Sequence, residues 1–64
     1  MPEYKFYSLD DAGHVVNRHD VACADDSDAF KMAHAFSEAH QIEVWELGRR
    51  LYVIAKGATL PPDR

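Results

Sequence analysis

Four histidines and one cysteine are the side chains of this sequence that suggest metal binding. His34 and Glu38 are four residues apart and would meet on one face of a helix. His14, His19 and Cys23 follow one another along a predicted strand. A structural zinc site takes about four ligands, usually as closely spaced Cys or His pairs. The sequence has neither C-x-x-C nor H-x-x-x-H, so we predict no metal site and no cofactor.

Cys23 is also the best candidate for a nucleophile, because it comes just before a predicted helix whose positive end would lower its pKa. His19 lies four residues earlier and could act as its base. Asp25, Asp26 and Asp28 surround the same position and oppose a thiolate. Free cysteines are usually small core residues. We therefore predict that Cys23 is buried, that the protein has no catalytic residue and that it is not an enzyme.

Length and composition limit the protein to one small domain. A chain of 64 residues buries only about 60% of the surface that its unfolded form exposes, so its stability is marginal. One cysteine cannot form an internal disulfide, which fits a reducing compartment. The sequence has no apolar run of about 20 residues and no basic region followed by an apolar stretch near its start. We predict a cytoplasmic protein with no membrane association. The net charge of −4 argues weakly against nucleic acid.

The hydrophobic pattern predicts two strands, one helix and two further strands. The expected strands are 4–9, 14–23, 41–47 and 50–55, and the expected helix is 24–40. An aspartate–glycine turn at 10–13 joins the first two strands. We expect one domain over residues 1–56 and a flexible tail over 57–64, where Pro61 and Pro62 cannot pair in a sheet.

The predicted helix has a start signal and one apolar stripe. Asp25 fits the N-cap, and Asp28 three residues later fits a capping-box partner. The stripe follows the i, i+3, i+4, i+7 spacing of a buried helix face. Its members are Ala29, Met32, Ala33, Phe36 and Ala39.

The last two strands form a hairpin whose turn decides which side chains share a face. Gly48-Arg49 fits a two-residue type II′ turn. This turn would place Trp45 opposite Tyr52, and Val44 opposite Val53. One face would then hold Ile42, Val44, Leu51, Val53 and Ala55, and the other Glu43, Trp45, Leu47, Tyr52 and Ile54. A slip of one residue would exchange the two faces.

These elements assemble most simply into a small α+β domain. We predict a four-stranded antiparallel sheet in the order 2-1-3-4 with the helix on one face; the order 2-1-4-3 is the alternative. The helix residues Ala29, Met32, Ala33 and Phe36 are expected to pack on Tyr4, Phe6, Ile42, Val44, Leu51 and Val53.

Three stretches of the chain, MPEYKFYSLDDAGH, VACADDSDAFKMA and EVWELGRRLYVI, resemble a family of short uncharacterised proteins common in rhizobia and related alphaproteobacteria. Those proteins open with Met-Pro, an aromatic strand and an Asp/Gly turn. They continue with a C-A-D-D-x-x-A helix start and end on a Glu-x-Trp hairpin. The resemblance covers about residues 1–55. Its motifs are turns, a cap and a hairpin, so it implies a shared fold and no activity, cofactor or catalytic residue.

The face away from the helix is predicted to carry the function. A contiguous apolar set with the only tryptophan is expected there, and such patches mark interfaces. The predicted interface residues are Tyr7, Leu9, Trp45, Leu47, Arg50, Tyr52 and Ile54. We predict a non-enzymatic interaction module that forms a homodimer or binds a small protein partner through this face. Pairing through a free edge strand is a second mode of association.

The same face suggests one alternative function, the binding of single-stranded RNA or DNA. Bases would stack on Tyr7, Trp45 and Tyr52. Lys5, Arg49 and Arg50 would meet the phosphates. Few cations are available for this role, and acidic residues are close to them in the sequence.

Overall fold

Four antiparallel strands and one helix form two layers in a computed structural model that describes residues 2–58. The elements are β1 (Glu3–Leu9), β2 (Val15–Ala22), α1 (Asp26–Ala35), β3 (Gln41–Glu46) and β4 (Arg49–Ile54). The strand order is β2-β1-β3-β4, which confirms the predicted order 2-1-3-4 and rules out 2-1-4-3. Among the described residues, no helix has the length and apolar character needed to cross a membrane.

The core lies between α1 and one face of the two central strands. Phe6 of β1 stands opposite Val44 of β3, and both side chains are fully buried. Because side chains alternate along a strand, Tyr4 and Ile42 face the same way and are buried too. The Tyr4 hydroxyl donates a hydrogen bond of 2.7 Å to Asp26 Oδ1 at the start of α1, which satisfies its only donor.

Asp10 organises the turn between β1 and β2, as the sequence predicts. Its Oδ1 accepts hydrogen bonds from the backbone N–H groups of Ala12 at 3.0 Å and His14 at 2.8 Å. Gly13 has a φ of 86°, a conformation that favours glycine. An extra residue in β2, Val16, then forms a bulge opposite the end of β1.

The start of α1 also agrees with the sequence. The Asp25 side chain accepts from the Asp28 backbone N–H at 2.9 Å, and Asp28 Oδ2 accepts from the Ala24 backbone N–H at 3.1 Å. Two otherwise unpaired N–H groups at the helix start are therefore satisfied reciprocally, in the manner of a capping box.

The end of α1 differs from the prediction, because the helix stops at Ala35 instead of continuing to residue 40. The Ser37 hydroxyl donates to the His34 carbonyl at 2.9 Å, and such bonds compete with helix continuation. Phe36 leaves the helix and packs edge-on against Phe6, with ring centroids 5.5 Å apart. Tertiary packing thus ends the helix one turn early.

The β3–β4 hairpin has a different turn and register from those predicted. Its turn residues are Leu47 and Gly48, both with positive φ (52° and 79°), as a type I′ turn requires. Trp45 pairs with Arg50, and Val44 pairs with Tyr52. One extra β4 residue, Leu51, lies between these pairs.

This register moves Tyr52 and Ile54 to the helix side. Ile54 lies in the core and is only 3% exposed. The ring centroids of Tyr52 and of Phe30 in α1 are 4.8 Å apart. Val53, predicted to be buried, is exposed instead. The contacts that Tyr52 and Ile54 make with the core stabilise this register, and they offset a left-handed leucine that costs about 1–2 kcal/mol.

The remaining core predictions are confirmed in part. Ala29 and Ala33 are buried, and Phe36 and Leu51 pack partly against the core, whereas Met32 is exposed. Of the predicted tail at 57–64, Gly57 donates a backbone hydrogen bond to the Ser37 carbonyl at 2.7 Å. Residues 59–64 lie outside the described part of the chain.

Candidate interaction surface

The sheet face opposite α1, here called the open face, has no second layer of described chain over it. The Cα atoms span 31 × 30 × 15 Å, and the shortest dimension accommodates one sheet and one helix. Strand register and alternation assign its side chains. They are Glu3, Lys5, Tyr7 and Leu9 of β1, Val15, Val16, Arg18, Asp20 and Ala22 of β2, Gln41, Glu43 and Trp45 of β3, and Arg50 and Val53 of β4.

Most of the predicted interface residues lie on or beside this face. Tyr7, Leu9, Trp45 and Arg50 are on it, although Leu9 is itself 8% exposed. Leu47 stands at the tip of the adjoining turn. The prediction that Tyr52 and Ile54 belong to this surface is wrong, because the bulge in β4 turns both toward the helix.

Val53 is an exposed open-face residue of β4 that the sequence prediction does not include. It pairs with Glu43 and is 51% exposed. A turn one residue earlier, at Leu47-Gly48, does not by itself identify it, because a regular β4 would then pair Val53 with Ile42 on the helix side; the extra residue Leu51 is also needed. A leucine in the first turn position gave no reason to prefer that placement, because type I′ turns favour Asn or Gly there.

An aromatic pair occupies the middle of the open face. The rings of Tyr7 and Trp45 meet edge to face, with centroids 6.3 Å apart and planes at 85°. The Trp45 indole N–H donates to Glu43 Oε1 at 3.0 Å. Because this donor is satisfied within the chain, the indole presents mainly apolar surface to a partner.

Every cation of the open face is already close to a carboxylate. Lys5 Nζ lies 3.4 Å from Asp20 Oδ1, and Arg18 Nε lies 3.7 Å from the same oxygen. Arg50 Nη1 lies 3.6 Å from Glu43 Oε2. Such exposed pairs each add only about 0–1 kcal/mol to stability. Their effect on the charge of the surface is larger. Together with Glu3, these pairs comprise three cations and three carboxylates, so the open face is neutral.

A groove of about 540 Å³ lies at one end of the open face, between the start of β1 and the β3–β4 turn. It has an apolar aromatic wall and a mixed-charge rim. The lining residues are Pro2, Glu3, Lys5, Tyr7, Trp45, Glu46, Leu47 and Gly48.

The histidines and the cysteine do not converge on a site within residues 2–58, where no three His, Cys, Asp or Glu side chains are arranged to hold a metal ion. Glu38 lies beyond the end of α1, so its predicted helical pairing with His34 does not form. The His19 ring stacks on the Phe36 ring with centroids 4.7 Å apart. His14 Nδ1 lies 3.7 Å from Asp10 Oδ2 in the first turn.

Cys23 is fully buried in the core and is not placed as a nucleophile. Burial raises the pKa of its thiol from the ordinary value of 9.0, and the carboxylates of Asp28 and Asp25 raise it further. Its Sγ lies 3.7 Å from Met32 Sδ. Burial likewise raises the pKa of Tyr4, helped by the hydrogen bond to Asp26.

These two raised pKa values predict that alkaline pH destabilises the protein. Below the ordinary values of 9.0 and 10.0, both states keep their protons and the stabilisation from Cys23 and Tyr4 is fully present. Above them the unfolded chain loses protons that the folded chain retains, so the free energy of unfolding falls with rising pH. Urea titrations between about pH 7 and pH 11 should show the midpoint decline from about pH 9. Cys23→Ala should delay that onset; a midpoint that stays constant or rises would contradict the prediction.

Comparison with known proteins assigns no function to the chain. No protein-family model, curated protein or solved structure matches the chain. The resemblance to the family of short alphaproteobacterial proteins therefore stays a prediction.

Proposed function

We propose that the protein is a small non-enzymatic interaction module that forms a homodimer by packing its open face against the same face of a second copy. The observation that carries this proposal is the Tyr7–Trp45 pair at the middle of a neutral, one-sided sheet. Interfaces typically combine such an aromatic centre with a polar rim. A cytoplasmic location is part of the proposal, since a single buried cysteine requires no oxidising environment.

The marginal stability of a short chain is a reason to expect that another molecule covers this face. A single helix of 10 residues covers one side of the sheet, and the chain has no disulfide to add stability. Domains of this size commonly gain stability from a partner subunit. Two sheets packed face to face would supply the missing layer at a spacing of about 10 Å.

The area of the face fits a reversible dimer. Four strands about 4.8 Å apart, with seven residues in β1, cover roughly 450 Å² in projection. Side-chain relief raises the accessible area above this figure. A pair of such faces falls at the low end of specific interfaces, which bury about 1,200–2,000 Å² in total. We therefore expect a dimer that dissociates within an experimental dilution range.

Charge favours a second copy over nucleic acid as the occupant. A polyanion needs free cations, but Lys5, Arg18 and Arg50 each have a carboxylate partner. The chain also carries a net charge of −4. A neutral face with both signs interspersed matches another copy of itself, because a two-fold axis can place each rim cation opposite a rim carboxylate.

Sedimentation equilibrium over a dilution series from millimolar to low micromolar protein tests the proposal. We expect a mass of two chains at high concentration, falling to one chain on dilution. Trp45 fluorescence should be blue-shifted and protected from quencher in the dimer and should shift red as the dimer dissociates.

A salt series separates the alternatives. Association through an apolar face should depend little on ionic strength, whereas binding of a single-stranded RNA oligomer would weaken steeply with salt. A monomer at every concentration, with Trp45 accessible to quencher, would overturn the homodimer. Dimerisation with Trp45 still accessible would instead indicate pairing through an edge strand.

A further inference from the structure

Leu47 is an unusual residue for its position in the hairpin turn. Its φ of 52° is left-handed, a conformation that costs a leucine free energy and that asparagine or glycine adopts more readily. Its side chain is 89% exposed, more than any other large apolar side chain in the described part of the chain. The fold of the single chain therefore gains little from a leucine here.

The groove beside this turn is a recess for an apolar side chain. Its apolar lining is Pro2, Tyr7, Trp45 and, at the edge, Leu47 of the same chain, and its volume of about 540 Å³ exceeds what one further leucine needs. Such a volume falls within the range of pockets that hold small ligands, about 300–1,000 Å³. An exposed apolar knob and an apolar recess thus lie side by side at one end of the open face.

We propose that Leu47 of each protomer inserts into the groove of the other protomer, where it packs on the partner's Trp45. This inference rests on the homodimer proposed above. The groove lies at the boundary of β1 and β3, the two central strands. A two-fold axis along that boundary would bring β3 of one copy over β1 of the other. The turn of each copy would then meet Pro2 of its partner, so both insertions form at once.

The variant Leu47→Asn tests the insertion without weakening the monomer. Asn-Gly is the preferred sequence of a type I′ turn, so the urea midpoint of the monomer should rise. Loss of a buried leucine should raise the dimer Kd roughly 10- to 100-fold in sedimentation equilibrium. Met32→Gln is the matched control, because Met32 is also an exposed apolar residue but lies on α1, on the other side of the sheet. Its Kd should equal that of the wild type.

Isotope-filtered NMR on a mixture of labelled and unlabelled chains gives a second measurement. Cross-peaks between Leu47 methyl groups of one copy and Trp45 ring protons of the other would support insertion. If Leu47→Asn dimerises like the wild type and these cross-peaks are absent, the insertion is wrong while the face-to-face dimer stands. If the wild type is monomeric throughout, both proposals fall.

Discussion

Replacement of Phe6 by alanine should remove most of the stability of the folded chain. Phe6 is fully buried on the central strand β1, and its ring contacts Phe36 where the chain leaves the helix. Truncating a buried phenylalanine costs about 3–5 kcal/mol. A domain of this size has a free energy of unfolding of roughly 3–10 kcal/mol in all. We therefore expect a large unfolded fraction for Phe6→Ala without denaturant.

Far-ultraviolet circular dichroism with urea titration measures this loss. Protein concentration must be the same for each variant, because dimerisation would add to the apparent stability. Val16→Ala provides the control, since it removes apolar atoms from an exposed strand position and should change stability by no more than about 0.5 kcal/mol. Equal urea midpoints for Phe6→Ala and wild type would show that the β1–α1 contact is not the centre of the core.

Replacement of Trp45 by alanine should cause the largest loss of association. Central aromatic residues act as interface hot spots, and their truncation costs about 2–4 kcal/mol. The dimer Kd should accordingly rise roughly 30- to 1,000-fold. Trp45 is only partly buried in the single chain. Its edge contact with Tyr7 contributes about 0.5–1.5 kcal/mol to folding, so the monomer should stay folded.

Met32→Ala is the matched control for Trp45→Ala. Met32 is an exposed large apolar residue of α1, on the opposite side of the sheet from Trp45. Its removal should leave the Kd unchanged. A Kd for Trp45→Ala within twofold of the wild-type value would mean that the copies associate through another surface, such as the free edge of β2 or β4.

Tyr52 and Ile54 should now affect stability and not association. The hairpin pattern predicts both in the interface, but in the structure both face the helix. The interface that we propose keeps Tyr7, Trp45, Leu47 and Arg50, and it gains Val53. Substitutions at positions 52 and 54 would therefore test the register of β4 independently of the dimer.

Local patterns in the sequence determined the element order and the two best-defined connections. Asp10 and Gly13 make the first turn, and Asp25 with Asp28 caps the helix. These features depend on residues at most four positions apart, so the sequence carries them directly. The placement of Tyr7 and Trp45 on one face likewise follows from alternation along β1 and β3 once the sheet order is known.

Only the tertiary structure decided the register of β4 and the length of the helix. The hairpin sequence permits a regular β4 and a β4 with an extra residue at Leu51, and these two forms place opposite sets of β4 side chains on the open face. Burial of Ile54 and the contact of Tyr52 with Phe30 select the bulged form. Phe36 likewise leaves the helix for a contact with Phe6, which is 30 residues away in sequence. Such long-range burial outweighs local preference. The free energy gained by burying apolar surface exceeds the free energy that one unfavourable turn or helix-end residue costs.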